Sequence, residues 1–496
     1  MLKKYKILSF LLVFSAFIFL CYLLFSSDKV KAPFITGNKK PNVILISIDT
    51  LRPDHLKSYG YKYDTSPNIT RWAKENPYIM QNAYTLTPMT YPSFTSLMTG
   101  RSPFDTHIYN NGRIYEDKNG KLISSSINGF NEIPNTVPTI ATILKGQGYL
   151  TAAFSENSAL RNKGTDIGKG FDEYQVYGEI PAEQGITDSA LDWLDEKVLK
   201  GNPFFLWVHY IGSHEAFTPQ GENSCLFNKR YCNVIKAQTI PSLALDEVKQ
   251  EGCHFSPLSD EQIGVQESLY DGEIYQTDSS VGKLLSFIEE NNLDKNSIII
   301  LYSDHGEGFD HNFYFTHSQV LYESSLKIML MISLPGVKAH GKELLTPVTN
   351  SEVYPTLGTL LGWNIKGYAG SFANLLTSKK LKESSSPTNP IFYVNESADK
   401  FAIRKGEYKY IYNRPSAINK CISQKGDELY NVVTDPDETK NLTKEIPDLR
   451  DSLMKILLDH IDSSKIISGE NSTPMITQPV TKEDEEVLRN IRNLGY

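Results

Sequence analysis

Carboxylates and imidazoles are the side chains that ligate metals and move protons, and in this chain several stand where an apolar run stops. Asp49 follows Val43 to Ile48 (VILISI). Ser303-Asp304-His305 follows Ser297 to Tyr302 (SIIILY), and His209 follows Phe204 to Val208 (FFLWV). Six of the ten histidines lie between residues 209 and 317, where random placement would put about two. Such clustering points to a site. Other catalytic signatures are absent: there is no GxxxxGK(S/T) loop, no HExxH and no GxSxG elbow. His214-Glu215 is not followed by a second histidine at metalloprotease spacing.

These residues need a sheet to carry them. The three runs, with Lys327 to Ile332 (KIMLMI) as a fourth, are continuous and apolar, the pattern of strands buried on both faces and typical of parallel sheets. Helical patterns lie between them at 67–75, 137–147, 184–199 and 262–291. The alternation predicts an α/β domain with a mostly parallel sheet flanked by helices. The carboxyl edge of such a sheet is where ligands bind, and three of the four runs deliver polar residues there. After about residue 365 the pattern changes. Phe401 to Asn413 (FAIRKGEYKYIYN) and Asp427 to Val433 (DELYNVV) predict antiparallel strands, with a helix at about 446–461. This is a smaller C-terminal α+β unit over 366–462. A tail at 463–496 follows, with a loose connection to 480 and a short charged helix at 481–492.

Four segments carry a family likeness: Asn42 to Gly60 (NVILISIDTLRPDHLKSYG), Thr65 to Ala73 (TSPNITRWA), Thr90 to Arg101 (TYPSFTSLMTGR), and Tyr302 to Gly308 (YSDHGEG) with His317 to Glu323 (HSQVLYE). Together they resemble the sulfatase-like branch of the alkaline phosphatase superfamily. Further matches are Gly148-Tyr149, Gly170-Phe171-Asp172, His209-Tyr210 with His214, Tyr270 through Asp278 to Gly282, Pro355-Thr356, Glu428-Leu429-Tyr430 with Asp435-Pro436, and the terminal Leu494-Gly495-Tyr496. The resemblance covers almost all of the chain outside its first residues. It implies an alkaline-phosphatase-like fold, with a catalytic domain over 41–365.

The resemblance also implies a chemistry: transfer of a phosphoryl or sulfuryl group through a covalent intermediate on a metal-bound nucleophile. Coordination lowers a hydroxyl's pKa, and a helix N-terminus favours the anionic group. Thr90 matches the nucleophile, with Pro92 suited to a first helical turn; the plainer alternative is a capping threonine. Ser93 matches a position that is usually structural. Asp49, Asp304 and His305 match the metal ligands, together with Thr90. Hard carboxylates with one imidazole favour zinc or manganese, with magnesium and calcium the alternatives. His214 and His317 match positions that contact the transferred group or the leaving oxygen. His317 stands where sulfatases usually carry lysine, and in two-metal phosphatases a histidine in this region binds a second metal. Both readings stay open. His209 and His311 are weaker candidates, each equally explained as a hydrogen-bonded structural histidine. Asp278 is expected to anchor a helix, or else to support the site from behind, and Arg52 to form a structural ion pair.

Departures from the family pattern bear on the substrate. True sulfatases place Cys or Ser at position 90, converted to formylglycine, and Arg four residues later; here these are Thr90 and Phe94. Thr50 replaces the second Asp of a paired carboxylate. Threonine nucleophiles occur in the phosphodiesterase, phosphoethanolamine-transferase and lipoteichoic-acid-synthase branches. Phosphate esters are therefore the expected substrates, with release of the phosphoryl group to water or another acceptor. The alternatives are a formylglycine-independent sulfatase and a degenerate binding protein on the same fold. The retention of Asp49, Thr90, Asp304 and His305 argues against the last.

The chain of 496 residues has 50 basic and 58 acidic side chains and a formal charge of −8. That mild acidity argues against a nucleic-acid binder, which would show a basic face or stripe. Lys3, Lys4 and Lys6 precede Ile7 to Phe25, an uncharged run long enough to cross a bilayer as a helix. Residues 1–27 are expected to be a cytoplasmic tip and signal anchor rather than a cleaved signal peptide, and 28–40 a linker. The catalytic domain would then be periplasmic or extracellular, with a lipid or surface glycan as a plausible ester substrate. Four cysteines would be exported, allowing three pairings; a local bridge within 225–253 is the most economical. The segment 220–260 is expected to shape substrate choice, or else simply to cap the domain.

Overall fold

The computed structural model describes residues 40–111, 114–116, 122–124, 132–161, 165–178, 183–198, 201–236, 250–251, 254–255, 258–311, 313–314, 317–368, 370–377, 389–414 and 426–467. The expected anchor and terminal helix, and the linker up to residue 39, lie outside them. Among the described residues, no helix is long and apolar enough to cross a membrane.

The apolar runs become the centre of an eight-stranded sheet. Its strands, in chain order, are β1 (Asn42–Ile48), β2 (Tyr78–Met80), β3 (Leu150–Ser155), β4 (Glu173–Val176), β5 (Phe204–Tyr210), β6 (Ser297–Ser303), β7 (Leu330–Ser333) and β8 (Lys342–Leu344). The spatial order is β8-β2-β7-β6-β1-β5-β3-β4. β1 is parallel to both β6 and β5, so the ends that carry Asp49, Asp304 and His209 lie side by side. The fourth run behaves differently from the other three. It splits into Lys327–Ile328 and β7, and β7 pairs antiparallel with both β6 and β2. The sheet is therefore mixed. An antiparallel central strand can be as buried as a parallel one, so apolar continuity does not reveal direction.

Helices cover both faces: α1 (Pro67–Glu75), α2 (Thr90–Thr99), α3 (Ile140–Gly146), α4 (Glu183–Trp193), α5 (Asp260–Glu290) and α6 (Val353–Leu361). Successive strand side chains point to opposite faces. Val43 and Leu45 accordingly join the core under α2, α3 and α6, while Ile44, Ile46 and Ile48 join the core under α1, α4 and α5. The C-terminal sheet, β9 (Ile391–Val394), β10 (Lys400–Lys405), β11 (Tyr408–Asn413) and β12 (Glu428–Asn431), is antiparallel throughout. Helix α7 (Pro447–Ile467) packs on β10 and β11.

A disulfide joins Cys225 to Cys232, a local bridge of the expected kind. The described part of the 220–260 segment lies on α5. A Cβ on Gly272 would meet the Asn223 carbonyl at 2.4 Å, and one on Gly264 would meet the Tyr231 hydroxyl at 2.3 Å. Most of 237–257 falls outside the described residues.

Candidate active site

The site grows out of three strand ends. β1 stops at Asp49, whose N–H donates to the Tyr210 carbonyl at 2.8 Å. Thr50 then takes a left-handed backbone (φ 51°), unusual for a β-branched residue. This turn aims its N–H at Asp304 Oδ1, 3.1 Å away, and its hydroxyl donates to the Ser213 carbonyl at 2.5 Å. β6 delivers Asp304 and His305. A Cβ on Gly306 would lie 1.9 Å from the Ser324 carbonyl, so only glycine lets the chain pass there.

Thr90 is the first residue of α2, after an extended Met89. Ser93, one turn on, donates to the Asp304 carbonyl at 2.7 Å and accepts from Asn350 at 3.0 Å. It pins the helix to the end of β6, the structural part expected of it. The Tyr91 N–H donates to Asn111 Oδ1 at 2.9 Å.

These elements bring Asp49, Thr90, Asp304, His305, His214 and His317 to one buried place. His305 Nδ1 lies 3.0 Å from the Gly306 carbonyl, which requires a proton on Nδ1 and leaves Nε2 with its lone pair when the ring is neutral. Burial, then the neighbouring His317, push the His305 pKa down to about 3, so it is neutral. Its Nε2 lies 3.4 Å from Thr90 Oγ1, 3.4 Å from Asp304 Oδ2 and 3.8 Å from Asp49 Oδ1. His317 stacks on His305 with ring centres 4.2 Å apart and meets His214 edge-on at 5.4 Å.

The carboxylates are electrostatically uneasy. Burial and repulsion from Asp49 hold the Asp304 pKa well above the ordinary range. Burial works against ionised Asp49 too, but the His209 hydrogen bond and nearby histidines outweigh it and hold its pKa low. Asp49 Oδ1 and Asp304 Oδ2 are buried with no hydrogen-bond partner among the described residues. Ligands about 2.1 Å from a shared tetrahedral ion stand about 3.4 Å apart, close to the spacings around His305 Nε2. Two orphaned carboxylate oxygens, one imidazole lone pair and one hydroxyl fit a divalent cation. The carboxylate and imidazole atoms of Asp49, His209 and Asp304 also lie within 4.8 Å of one another.

His311 belongs elsewhere. It pairs with Asp310 at 2.9 Å, reaches the Glu438 carbonyl at 3.0 Å and stacks on Tyr322. Arg52 pairs with Asp54 at 2.7 Å, as expected. Asp278 accepts the N–H groups of Asn68 and Ile69, both at 2.8 Å, anchoring the start of α1.

Sequence reading passed over Asn157 and Glu307. Asn157 donates to Asp49 Oδ2 at 2.5 Å. It stands two residues past β3 (LTAAFS), so a strand-end signal akin to that of Asp49 was present, diluted by alanine and threonine. Glu307, fully buried, places Oε1 3.4 Å from His317 Nδ1. Burial pushes its pKa up to about 7. Burial, then Glu307, push Glu215 up to about 10.

The sequence profile of the Sulfatase family matches residues 41–363. The chain is 23% identical over 462 residues to choline-sulfatase of Rhizobium meliloti (strain 1021), covering 82% of this chain and 83% of that protein. It is 22% identical over 511 residues to arylsulfatase K of Gallus gallus, covering 92% and 90%. Among solved structures, a protein bound to its substrate D-glucosamine-2-N,6-O-disulfate superposes with a TM-score of 0.65 at 18% identity, covering 88% of this chain and 99% of that one. The phosphonate monoester hydrolase of Agrobacterium radiobacter superposes with a TM-score of 0.63 at 17% identity, covering 86% and 96%.

Proposed function

The chain belongs to the sulfatase family of hydrolases, and from that premise we propose that it acts on phosphate esters through a covalent intermediate on Thr90. The observation that carries this reading is Thr90 itself: a threonine hydroxyl at the start of α2, 3.4 Å from His305 Nε2. Threonine yields no formylglycine aldehyde. Phe94, where sulfatases carry arginine, is fully buried against Trp207 and His209, with ring centres 4.7 and 4.9 Å away.

Asp49, Asp304, His305 and Thr90 would hold a divalent metal, zinc or manganese by donor set. When bound, it lowers the pKa of the Thr90 hydroxyl and offsets charge on the transferred group. Thr90 gives its proton to solvent water, and its Oγ attacks phosphorus in line as the new O–P bond forms and the ester O–P bond breaks. His317 and His214 face the leaving oxygen, stabilise its charge and supply its proton. Water or another acceptor hydroxyl then attacks the phosphothreonine, returning a proton to the histidine pair as the Thr90 O–P bond breaks, and Thr90 takes its proton back from solvent.

Because the Thr90 position resembles that of the family's phosphodiesterase branch, a phosphodiester, with a single negative charge, is the ester we favour. A sulfate ester also carries one charge, and the named relatives include choline-sulfatase and arylsulfatase K, so sulfuric ester hydrolysis is the second reading. The chain is read as anchored by Ile7 to Phe25 with its catalytic domain outside the cytoplasm. The Cys225–Cys232 bridge supports an oxidising compartment. A lipid or surface-glycan substrate follows from that placement. The glycan option gains support from the sulfated glucosamine bound by one structural relative.

The test is turnover of aryl phosphodiesters, phosphomonoesters and sulfates by the full chain with zinc, manganese or calcium, beside Thr90→Ala. Diester turnover that falls about a thousandfold or more in Thr90→Ala supports the proposal. Sulfate turnover with both phosphate esters inert overturns it.

A further inference from the structure

Asp49 is gripped from behind by a buried chain of hydrogen bonds. β1 and β5 pair in parallel with Ser47 opposite His209, and Trp207 lies on the same face of β5, two residues before His209. Trp207 Nε1–H donates to Ser47 Oγ at 2.9 Å. Ser47 Oγ lies 3.0 Å from His209 Nδ1 and 3.3 Å from the Val208 carbonyl. His209 Nε2 lies 3.2 Å from Asp49 Oδ2, the oxygen that also accepts from Asn157. None of these side chains is more than 1% exposed.

The indole can only donate, so the Ser47 hydroxyl accepts its proton and has one proton of its own to place. With a neutral ring, giving it to His209 Nδ1 leaves the ring proton on Nε2, directed at Asp49 Oδ2, and every group is paired; a protonated ring directs the same Nε2–H at Asp49. Given to the Val208 carbonyl, it puts the ring proton on Nδ1, and two lone pairs then face each other across 3.2 Å in a buried site. The first arrangement also uses the shorter contact. The two oxygens of Asp49 divide accordingly. Oδ2 faces His209 and Asn157, whereas Oδ1 faces His305 Nε2 and has no hydrogen-bond partner among the described residues.

We propose that His209 is a positioning residue and not a metal ligand: Trp207 and Ser47 fix its proton on Nε2, and the bond to Asp49 Oδ2 turns Oδ1 into the site. The Phe94 ring packs edge-on against the His209 imidazole, with ring centres 4.9 Å apart and planes at 79°. The inference rests on the reading of Asp49 as a metal ligand. Groups behind a ligand typically change metal affinity by about 10–100-fold.

The test is nitrogen NMR of the full chain in detergent with labelled histidine, the His209 signals assigned by their loss in His209→Gln. The expected result is protonated Nε2 before and after zinc is added. Loss of the Nε2 proton on zinc addition would make His209 a ligand and overturn the proposal, as would Nδ1 protonation in the metal-free chain. Zinc titration gives a second readout. His209→Gln, which keeps an N–H donor, should hold zinc within about tenfold of the parent, and His209→Ala should lose about 10–100-fold. Equal, larger losses in both variants count against positioning. If Ser47→Ala fails to fold because it strands the indole N–H, the pair Ser47→Ala with Trp207→Phe removes both partners; it should mix the tautomers, and an unchanged tautomer would overturn the relay. Thr90→Ala should leave the tautomer untouched, so a failed phosphoryl reading and a failed relay give different results.

Discussion

Thr90, His305 and His317 form a line of close contacts, from the Thr90 hydroxyl to one imidazole and on to the ring stacked upon it. Glu307 stands at the far end, 3.4 Å from His317 Nδ1. Under the proposed mechanism, a charged Glu307 beside Nδ1 would favour a proton there and leave Nε2 to the leaving oxygen, supporting charge on the ring as it develops. Glu307→Gln keeps the volume and removes that support. The expected outcome is a selective loss: alkyl esters with poor leaving groups slow by about 10–100-fold, whereas 4-nitrophenyl esters slow little, since they need no proton. Equal slowing of both classes would assign Glu307 a purely structural part. Phe94 acts at the same scale by exclusion, filling with an aromatic ring the space beside His209 and Trp207.

Elements hold these residues through a few borrowed contacts. Helix α1 begins at Pro67, and Ser66 makes no side-chain cap; the cap comes instead from Asp278 on α5. Gly282, one turn further along α5, leaves room for Asn68, which a Cβ would approach to 2.5 Å. Asp278→Ala should cost about 1–2 kcal/mol of stability, the loss of a helix cap, with little change in kcal-scale terms at the active site. Denaturant unfolding measures it. A cost near zero would mean that water replaces the carboxylate at the helix start.

At the scale of the whole molecule, the C-terminal sheet is tied by buried charge to the segment between β6 and β7. Lys409 on β11 is fully buried, 3.0 Å from Glu323 and 2.7 Å from Glu438. Removing one partner leaves the others buried and uncompensated. Lys409→Met should therefore destabilise by about 3–5 kcal/mol, seen as a lowered midpoint in thermal unfolding; an unchanged midpoint would show the network to be hydrated. His311 makes a second tie through the Glu438 carbonyl. Burial opposes its charge, but Asp310 outweighs burial and raises its pKa above 6.5, while Asp310 is held below 3.8. A raised histidine stabilises fully below its unfolded pKa and loses that contribution as pH rises through the folded value. A depressed carboxylate stabilises above its unfolded pKa and loses it as pH falls. The pair works best between the two unfolded values, 3.8 and 6.5. His311→Gln should then destabilise more near pH 5.5 than at pH 8, and equal shifts at both would rule the charge out.

Much of this was legible in one dimension. Apolar runs ending in Asp49, His209 and Asp304 mark buried strands because a strand covered on both faces must be apolar, and whatever follows must sit at the sheet edge. Thr90 before Pro92 reads as a helix start because proline's missing N–H costs nothing in a first turn. The local spacing of Cys225 and Cys232 allowed their bridge. What the sequence left open needed distance between residues far apart in the chain. The antiparallel direction of β7 depends on its neighbour, not on its composition. Asn157 and Glu307 enter the site because β3 pairs with β5, the neighbour of β1, and because the chain after β6 brings Glu307 within 3.4 Å of His317. The division of labour at Asp49, with His209 and Asn157 on one oxygen and the open side on the other, is a fact of orientation. Residue types name the donors and acceptors available, but only the packed fold decides which lone pair faces which proton.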